Sequence, residues 1–424
     1  MEDVSAFRAR AEAWLVTRRP RNAPPTTDAQ VWGQGEFDVT VFHDRTPEQE
    51  HQYLSAYVAW IAERQSAGFW GITWDPQWGG AGLTKAHERA YIEAESGFET
   101  PNDHELISVT CKLIAPAIER FGTPEQKKLY IDDFLTAKVF ACQLFSEPGA
   151  GSDLAGLSTK AVRDGDEWVL DGQKVWSSNA HITPWGFAIC RTDPTVPKHA
   201  GLTAFLVPLD APGVEVRPIK QMNGGASFNE VFLSGVRLDD SLRIGDVGDG
   251  WKVAVTILGF ERENSGSSGR RGGTYADLVM LARHVGRTKD PVIRQQLARV
   301  YSVQKARLWA RNRAAAAVKA GGSAGPGGSI GKLMWSDSMR LITDTASQLL
   351  GPALTADTGE WGTFGWNQHV LGAPGYRIAG GSDEIQRNII GERVLGLPTE
   401  PRVDRDTPFN MIGKLFPDER DASP

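Results

Sequence analysis

The feature that most constrains this chain is where its strand-like runs fall: they occupy one central stretch, with helical periodicity on either side. From about residue 139 onward come Val162, Trp168-Val169-Leu170, Val175-Trp176, Ala204-Phe205-Leu206-Val207 and Val231-Phe232-Leu233, short runs of apolar or β-branched type. Asp164-Gly165 and Asp171-Gly172 separate some of them, and such pairs supply the positive φ of tight hairpin turns. Upstream, Leu54, Tyr57, Val58 and Ile61 recur at helical spacing, as do Leu106, Leu113 and Ile114. Thr123-Pro124-Glu125-Gln126 reads as a helix start, with Thr123 capping, Pro124 where its missing N–H costs nothing, and Gln126 reaching back. Trp74 to Gly82 reads as a loop. After Asp249-Gly250-Trp251 the helical pattern returns, through Leu297, Val300, Tyr301, Val303, Ala306 and Leu308, and again from Ile330. Strands segregated between helices exclude alternating βαβ units and predict an α+β fold. The expected parts are an N-terminal helical domain (1–138), a middle antiparallel β-domain (139–249), a C-terminal helical bundle (250–398) and a peripheral arm (399–424).

Composition narrows the function classes. A net charge of −6 leaves no basic surplus for phosphate backbones, so nucleic acid is not the expected partner. No stretch approaches the ~20 apolar residues of a membrane span, and no apolar segment follows Met1-Glu2-Asp3, which points to the cytoplasm. Cys111, Cys142 and Cys190 have no C-x-x-C spacing and read as small core residues, and the histidines form no metal-binding pattern. Gly325-Pro326-Gly327-Gly328-Ser329 follows a helix rather than a strand and reads as an interhelical turn, not a phosphate cradle.

Three segments carry candidate chemistry. Leu144-Phe145-Ser146-Glu147-Pro148-Gly149-Ala150-Gly151-Ser152-Asp153, at the entry to the β-rich stretch, offers backbone N–H groups, hydroxyls and glycines that let a flat or anionic ligand approach the main chain. A plain Pro-Gly turn fits it as well. Gln173-Lys174-Val175-Trp176-Ser177-Ser178-Asn179-Ala180 reads as a strand whose Trp176 either stacks on a ligand ring or sits in the core. In Arg377-Ile378-Ala379-Gly380-Gly381-Ser382-Asp383-Glu384-Ile385-Gln386-Arg387, a glycine pair leads into a helix capped by Ser382 or Asp383, whose N-terminus suits an anion.

In this order and spacing, the three segments resemble the acyl-CoA dehydrogenase family. The resemblance extends from Trp78-Gly79-Gly80-Ala81-Gly82-Leu83 and Phe121-Gly122-Thr123-Pro124-Glu125-Gln126-Lys127 to Gly391-Glu392-Arg393-Val394-Leu395-Gly396-Leu397-Pro398. It implies a helical N-terminal domain, a middle β-domain and a C-terminal four-helix bundle, with FAD between the last two. It also implies an acyl-CoA substrate and an electron-transfer flavoprotein as acceptor. By matching position, Phe145 and Ser146 would meet the flavin's pyrimidine edge, Gly151 would lie near the cofactor, Ser152 near cofactor and substrate, and Trp176 would shield the flavin. Ser178 would bond near N5, and Ser382 and Glu384 would face the ribityl–pyrophosphate part.

In many members the residue before the Gly-Ser/Thr of the third segment is the glutamate that takes the substrate's α-proton. Here it is Gly380, which retains only a backbone N–H able to bond the thioester carbonyl. A minority of the family carries the glutamate on the first helix of the C-terminal domain, just before an arginine, and Leu258-Gly259-Phe260-Glu261-Arg262 matches that pattern. Glu261 is then the expected base, with burial raising its pKa towards neutrality, and Arg262 supports the substrate or the helix. The competing reading is a structural Glu261–Arg262 pair. The following Asn264–Gly273 stretch is poor in helix formers, which would leave room for a bulky or branched acyl group or mark a local break.

Two elements depart from the pattern of homotetrameric members, in which a neighbouring subunit completes the FAD site. Leu281–Asp290 lacks a Phe-Gly pair, leaving Arg283 or Arg287 as stand-in. In Gln348-Leu349-Leu350-Gly351-Pro352-Ala353-Leu354, Gln348 and Gly351 match, but Pro352 and Leu354 replace residues that allow close backbone approach. A homo-oligomer with an altered contact, or a hetero-oligomer with a second acyl-CoA dehydrogenase-like chain, follows, and the latter is favoured. The alternatives in function are a non-catalytic partner subunit, or an oxidase or monooxygenase on the same fold.

Overall fold

The computed structural model describes residues 2–22, 32–34, 37–264, 272–320, 327–402 and 404–414. Its N-terminal part is helical: α1 (Val4–Arg18), α2 (Pro47–Ser66), α3 (Lys85–Glu95), α4 (Glu105–Val109), α5 (Ala115–Phe121) and α6 (Pro124–Leu135). A π-helical turn, Thr110–Ile114, joins α4 to α5. The capping box read at Thr123 is present: Thr123 Oγ1 accepts from Gln126 N at 3.2 Å, and Thr123 N donates to Gln126 Oε1 at 2.9 Å. Gln126 does more than cap. Its Nε2 donates to Ser241 O and Arg243 O at 2.6 and 2.7 Å, fastening α6 to the sheet. The Trp74–Gly82 loop contains one 3-10 turn, Pro76–Trp78.

The middle part is an 8-stranded sheet of β1 (Ala141–Leu144), β2 (Lys160–Asp164), β3 (Glu167–Lys174), β4 (Trp185–Arg191), β5 (Leu202–Pro208), β6 (Val214–Ile219), β7 (Phe228–Asp239) and β8 (Arg243–Ile244). The strand order is β6-β7-β3-β2-β4-β5-β8, with β1 on β4. The long ladders are antiparallel. β1 runs parallel to β4, and a single parallel bridge joins Lys160 to Arg191. Cys111, Cys142 and Cys190 are buried and unpaired, as expected, and burial pushes each thiol up to about 12.

Two local readings need correction. Asp171-Gly172 is not a turn between strands: β3 runs through it, and the register against β7 shifts between Leu170 and Gly172. Gly172 takes φ +155° at this bulge, and a β-carbon there would lie 2.4 Å from Thr159 Oγ1, so the glycine serves a close approach within the sheet. Trp176 is not on a strand either. β3 ends at Lys174, and Trp176 turns out of it with φ +61°.

The C-terminal part comprises α7 (Gly250–Asn264), α8 (Tyr275–His284), α9 (Pro291–Lys319), α10 (Gly327–Leu350), α11 (Phe364–Gly372) and α12 (Asp383–Arg393). α7 packs on β4, β5 and the π turn through buried Val253, Ala254 and Ile257. α10 is the hub, touching α7, α8, α9, α11 and α12. Residues 404–414 return to the sheet: Phe409 N donates to Val196 O at 2.9 Å, and the Arg191 guanidinium lies 3.8 Å from the Phe409 ring centre. Among the described residues, no helix is long and apolar enough to cross a membrane, and no group of His, Cys, Asp or Glu could hold a metal ion.

Candidate active site

The first two segments are stitched together beneath their surface. Beyond β1, Glu147 and Ala150 exchange backbone bonds at 2.9 and 3.0 Å, which folds Pro148 and Gly149 into a tight turn. Val175 N donates to Ser146 O at 2.9 Å. Below this contact lies a buried ion pair: Lys174 Nζ is 2.8 Å from Glu147 Oε1, with side-chain exposures of 0% and 4%. Lys174 Nζ also donates to Phe145 O at 3.2 Å and Ile189 O at 2.7 Å, while Glu147 accepts from Ser158 N, Ser158 Oγ and Thr159 N. Every strong donor and acceptor of the pair is thus occupied, the condition under which a buried pair is tolerated. Sequence reasoning assigned neither residue a role, since nothing in the spacing couples positions so far apart in the chain.

Burial pushes the Glu147 carboxyl up, but the Lys174 charge and the hydrogen bonds outweigh it and hold the group down at about 2. A depressed carboxylate contributes stability that is complete above its unfolded value of ~4.3 and is lost as pH falls through the folded value. Urea unfolding of the protein is therefore expected to lose about 3 kcal/mol of stability from this group as pH drops from 5 to below 2. The loss should be absent in a variant where both partners are replaced by uncharged residues; an equal loss in that variant would rule the pair out as its source.

Beyond the pair, part of the first segment is open to solvent. Phe145 is buried, Ser146 is half-buried, and Gly151 and Ser152 are exposed. Trp176 is 59% exposed and makes an edge-to-face contact with Phe228 at 6.0 Å. A left-handed backbone at a non-glycine residue costs roughly 1–2 kcal/mol. Reciprocal backbone bonds of 3.1 Å between Ser177 and Asn229 hold that conformation in place. An indole held strained and largely uncovered is not a core residue, and its face is open to a flat ring system. Ser178 is half-buried beside it.

The third segment arrives from the C-terminal part. Gly380 and Gly381 both sit in the left-handed region, at φ +66° and +81°. At Gly381 it is this φ that favours glycine, since a β-carbon there would meet only the movable end of the Gln386 side chain, at 2.6 Å. Ser382, not Asp383, is the cap: its Oγ accepts from Ile385 N at 3.3 Å. Glu384 is exposed beside Arg387, at 3.7 Å. Among the described residues, no acceptor engages the Gly380 N–H, which stays available.

Glu261, half-buried on α7, meets this turn. The point where a β-carbon of Gly380 would sit is 3.4 Å from Glu261 Oε1. Two candidates distant in sequence are therefore adjacent in space, and the carboxylate stands over the position that lacks a side chain. The side chain of Arg262 and residues 265–271, on which the reading of a roomy acyl pocket rests, lie outside the described residues.

Gln348 and Gly351 are not brought to this site. They lie at the C-terminal end of α10, where Gln348 O accepts from Arg287 and Gly351 is exposed. Lys332, at the other end of that helix, bonds Asp383 of the third segment. At 1.5 Å per residue, the two ends are about 24 Å apart. Arg283 is exposed nearby, and Arg287 is paired with Asp290.

Three family models match the chain in order: acyl-CoA dehydrogenase N-terminal domain over residues 41–138, middle domain over 142–236 and C-terminal domain over 248–395. Among curated proteins, the chain is 38% identical to acyl-CoA dehydrogenase IpdE1 of Mycobacterium tuberculosis, over 95% of this chain and 100% of that protein. It is 39% identical to IpdE1 of Mycolicibacterium smegmatis, over 94% and 99%. Among solved structures, the Tcur3481-Tcur3483 steroid ACAD is similar with TM-score 0.71 and 28% identity, over 94% of this chain and 99% of that one. The ChsE4-ChsE5 complex from Mycobacterium tuberculosis is similar with TM-score 0.65 and 25% identity, over the same shares.

Proposed function

The chain belongs to the acyl-CoA dehydrogenase family of FAD-dependent oxidoreductases, and on that premise we propose that it is a cytoplasmic enzyme converting an acyl-CoA thioester to its trans-2-enoyl-CoA, with Glu261 as the base. The approach of Glu261 to Gly380 carries this reading. Glu261 takes the α-proton, while the Gly380 N–H bonds the thioester carbonyl and stabilises the charge that develops on its oxygen. Bound FAD supplies the acceptor for the β-hydride. Phe145, Ser146, Gly151, Ser152, Trp176, Ser178, Ser382 and Glu384 would hold the cofactor. Ser152, Gly380 and Arg262 would hold the substrate.

The acyl group is bulky or branched, in keeping with the similarity to a steroid ACAD. The assembly is a hetero-oligomer with a second acyl-CoA dehydrogenase-like chain. Two observations support this: similar structures are named as two-component assemblies, and Gln348, exposed near the C-terminal end of α10, lies about 24 Å along that helix from Lys332, which bonds Asp383. Electron-transfer flavoprotein is the proposed acceptor. The test mixes purified protein and FAD with acyl-CoAs of straight-chain, branched and ring-bearing type, with and without the partner chain, and follows bleaching of the flavin absorbance. Bleaching by a ring-bearing thioester is expected. Flavin that binds and stays oxidised with every thioester, partner present, would leave only the non-catalytic subunit, and continuous oxygen consumption would point to an oxidase.

A further inference from the structure

Asp383 does more than an acidic residue in a first helical turn needs to do. A carboxylate there is favourable while facing solvent, yet Asp383 is only 2% exposed. Its oxygens collect donors from two places. Ser336 Oγ and Lys332 Nζ, both on α10, reach Oδ1 at 2.7 and 3.1 Å, and Arg377 Nε reaches Oδ2 at 3.1 Å. Arg377 precedes the Gly380–Gly381 turn and Asp383 follows it. Their bond closes the turn at its neck, and the α10 contacts anchor that neck to the helical bundle. Inside the neck, Gln386 Nε2 donates to Gly380 O at 3.0 Å and Gly381 O at 3.2 Å. Two adjacent glycines have no side chains to restrain them, so these ties limit the turn. Burial pushes the Asp383 carboxyl up, but the bonds from Ser336, Arg377 and Lys332 prevail and hold it below the ordinary carboxylate range. The charge that binds the neck is therefore present at neutral pH.

We propose that Asp383 is a positioning residue for the reaction: by tying Arg377 to α10 across the neck of the turn, it aims the Gly380 N–H at the substrate carbonyl. This rests on the reading of Gly380 given above. Direction matters because hydrogen bonds weaken steeply once bent, and a well-placed oxyanion donor is worth about 10²- to 10³-fold in rate. Misdirecting such a donor should cost part of that factor and should act on the transition state more than on binding.

Two full-length holoenzyme variants test this, in complex with the partner chain if flavin retention requires it. Asp383→Asn removes the charge at constant shape. Arg377→Met removes only the loop-side arm, at a side chain 49% exposed, and so keeps the test alive if the first variant does not fold. The direct readout is the infrared carbonyl stretch of a ¹³C-labelled enoyl-CoA thioester bound to each protein. The wild type should lower this frequency relative to the free thioester, and both variants should lower it less. Their flavin reduction at saturating acyl-CoA should slow roughly 10-fold or more, with KM within about 3-fold of the wild type. Variants that keep the wild-type carbonyl frequency, even if less stable, would make Asp383 a purely structural residue and overturn the proposal. A wild type whose flavin is reduced but whose bound carbonyl is unshifted would refute the Gly380 donor, and the proposal with it. No flavin reduction by any acyl-CoA would instead refute the functional reading on which both stand.

Discussion

Replacing Glu261 with glutamine is expected to slow reduction of bound flavin by acyl-CoA about 10²- to 10⁴-fold while leaving FAD content and acyl-CoA affinity close to those of the wild type. Glutamine has nearly the same shape and can still bond its neighbours, but it cannot accept the α-proton. Nothing at position 380 can take over, since Gly380 has no side chain and the nearest carboxylates of the third segment are otherwise placed: Asp383 is buried in its own network, and Glu384 is exposed beside Arg387. Stopped-flow bleaching of the flavin, with the partner chain present if retention requires it, measures the effect. A variant that bleaches at the wild-type rate would return Glu261 to the status of a structural residue.

The second large effect is expected at Lys174. Lys174→Met keeps the length of the side chain and removes its charge, leaving Glu147 ionised and unpaired at a site 4% exposed. Breaking one partner out of a buried pair costs about 3–5 kcal/mol. The consequence should reach the cofactor, because Lys174 also bonds Phe145 O and stands next to Val175, whose N–H holds Ser146 O. A lower urea midpoint together with faster loss of flavin on dilution is the predicted phenotype. Lys174→Met combined with Glu147→Gln should recover most of the stability, since no lone charge is then left buried. If the double variant is as unstable as the single one, the damage comes from packing rather than charge.

These two predictions differ in how far the sequence foresaw them. Glu261 stood out in the sequence because a vacancy at Gly380 and a Glu-Arg pair on the first helix of the C-terminal part match one pattern between them. Lys174 and Glu147 were not legible, although both lie inside segments singled out as chemical. Their pairing depends on β3 passing beneath the turn that follows β1, a register set by the whole sheet. Asp171-Gly172 misled for a related reason. The same dipeptide serves a hairpin turn or a bulge, and only the proximity of Thr159 decides which. The strand expected at Trp176 fails for another reason: side-chain identity says little about a positive φ that neighbouring strands impose.

What the sequence by itself determined is local in origin: the order of helices, strands and helices, the cap at Thr123 and the buried cysteines. Each follows from periodicity or from side-chain to main-chain bonds within a few positions, and such signals survive without knowledge of the rest of the chain. The tertiary structure alone decided which of those residues meet. It brought Glu261 within 3.4 Å of the missing β-carbon at Gly380, bound Asp383 to α10, and left Gln348 and Gly351 at the far end of that helix. Those outcomes depend on how α7 beds onto β4 and β5 and how α10 spans the bundle. Packing between distant elements is a property of the folded whole, and no short window of sequence encodes it.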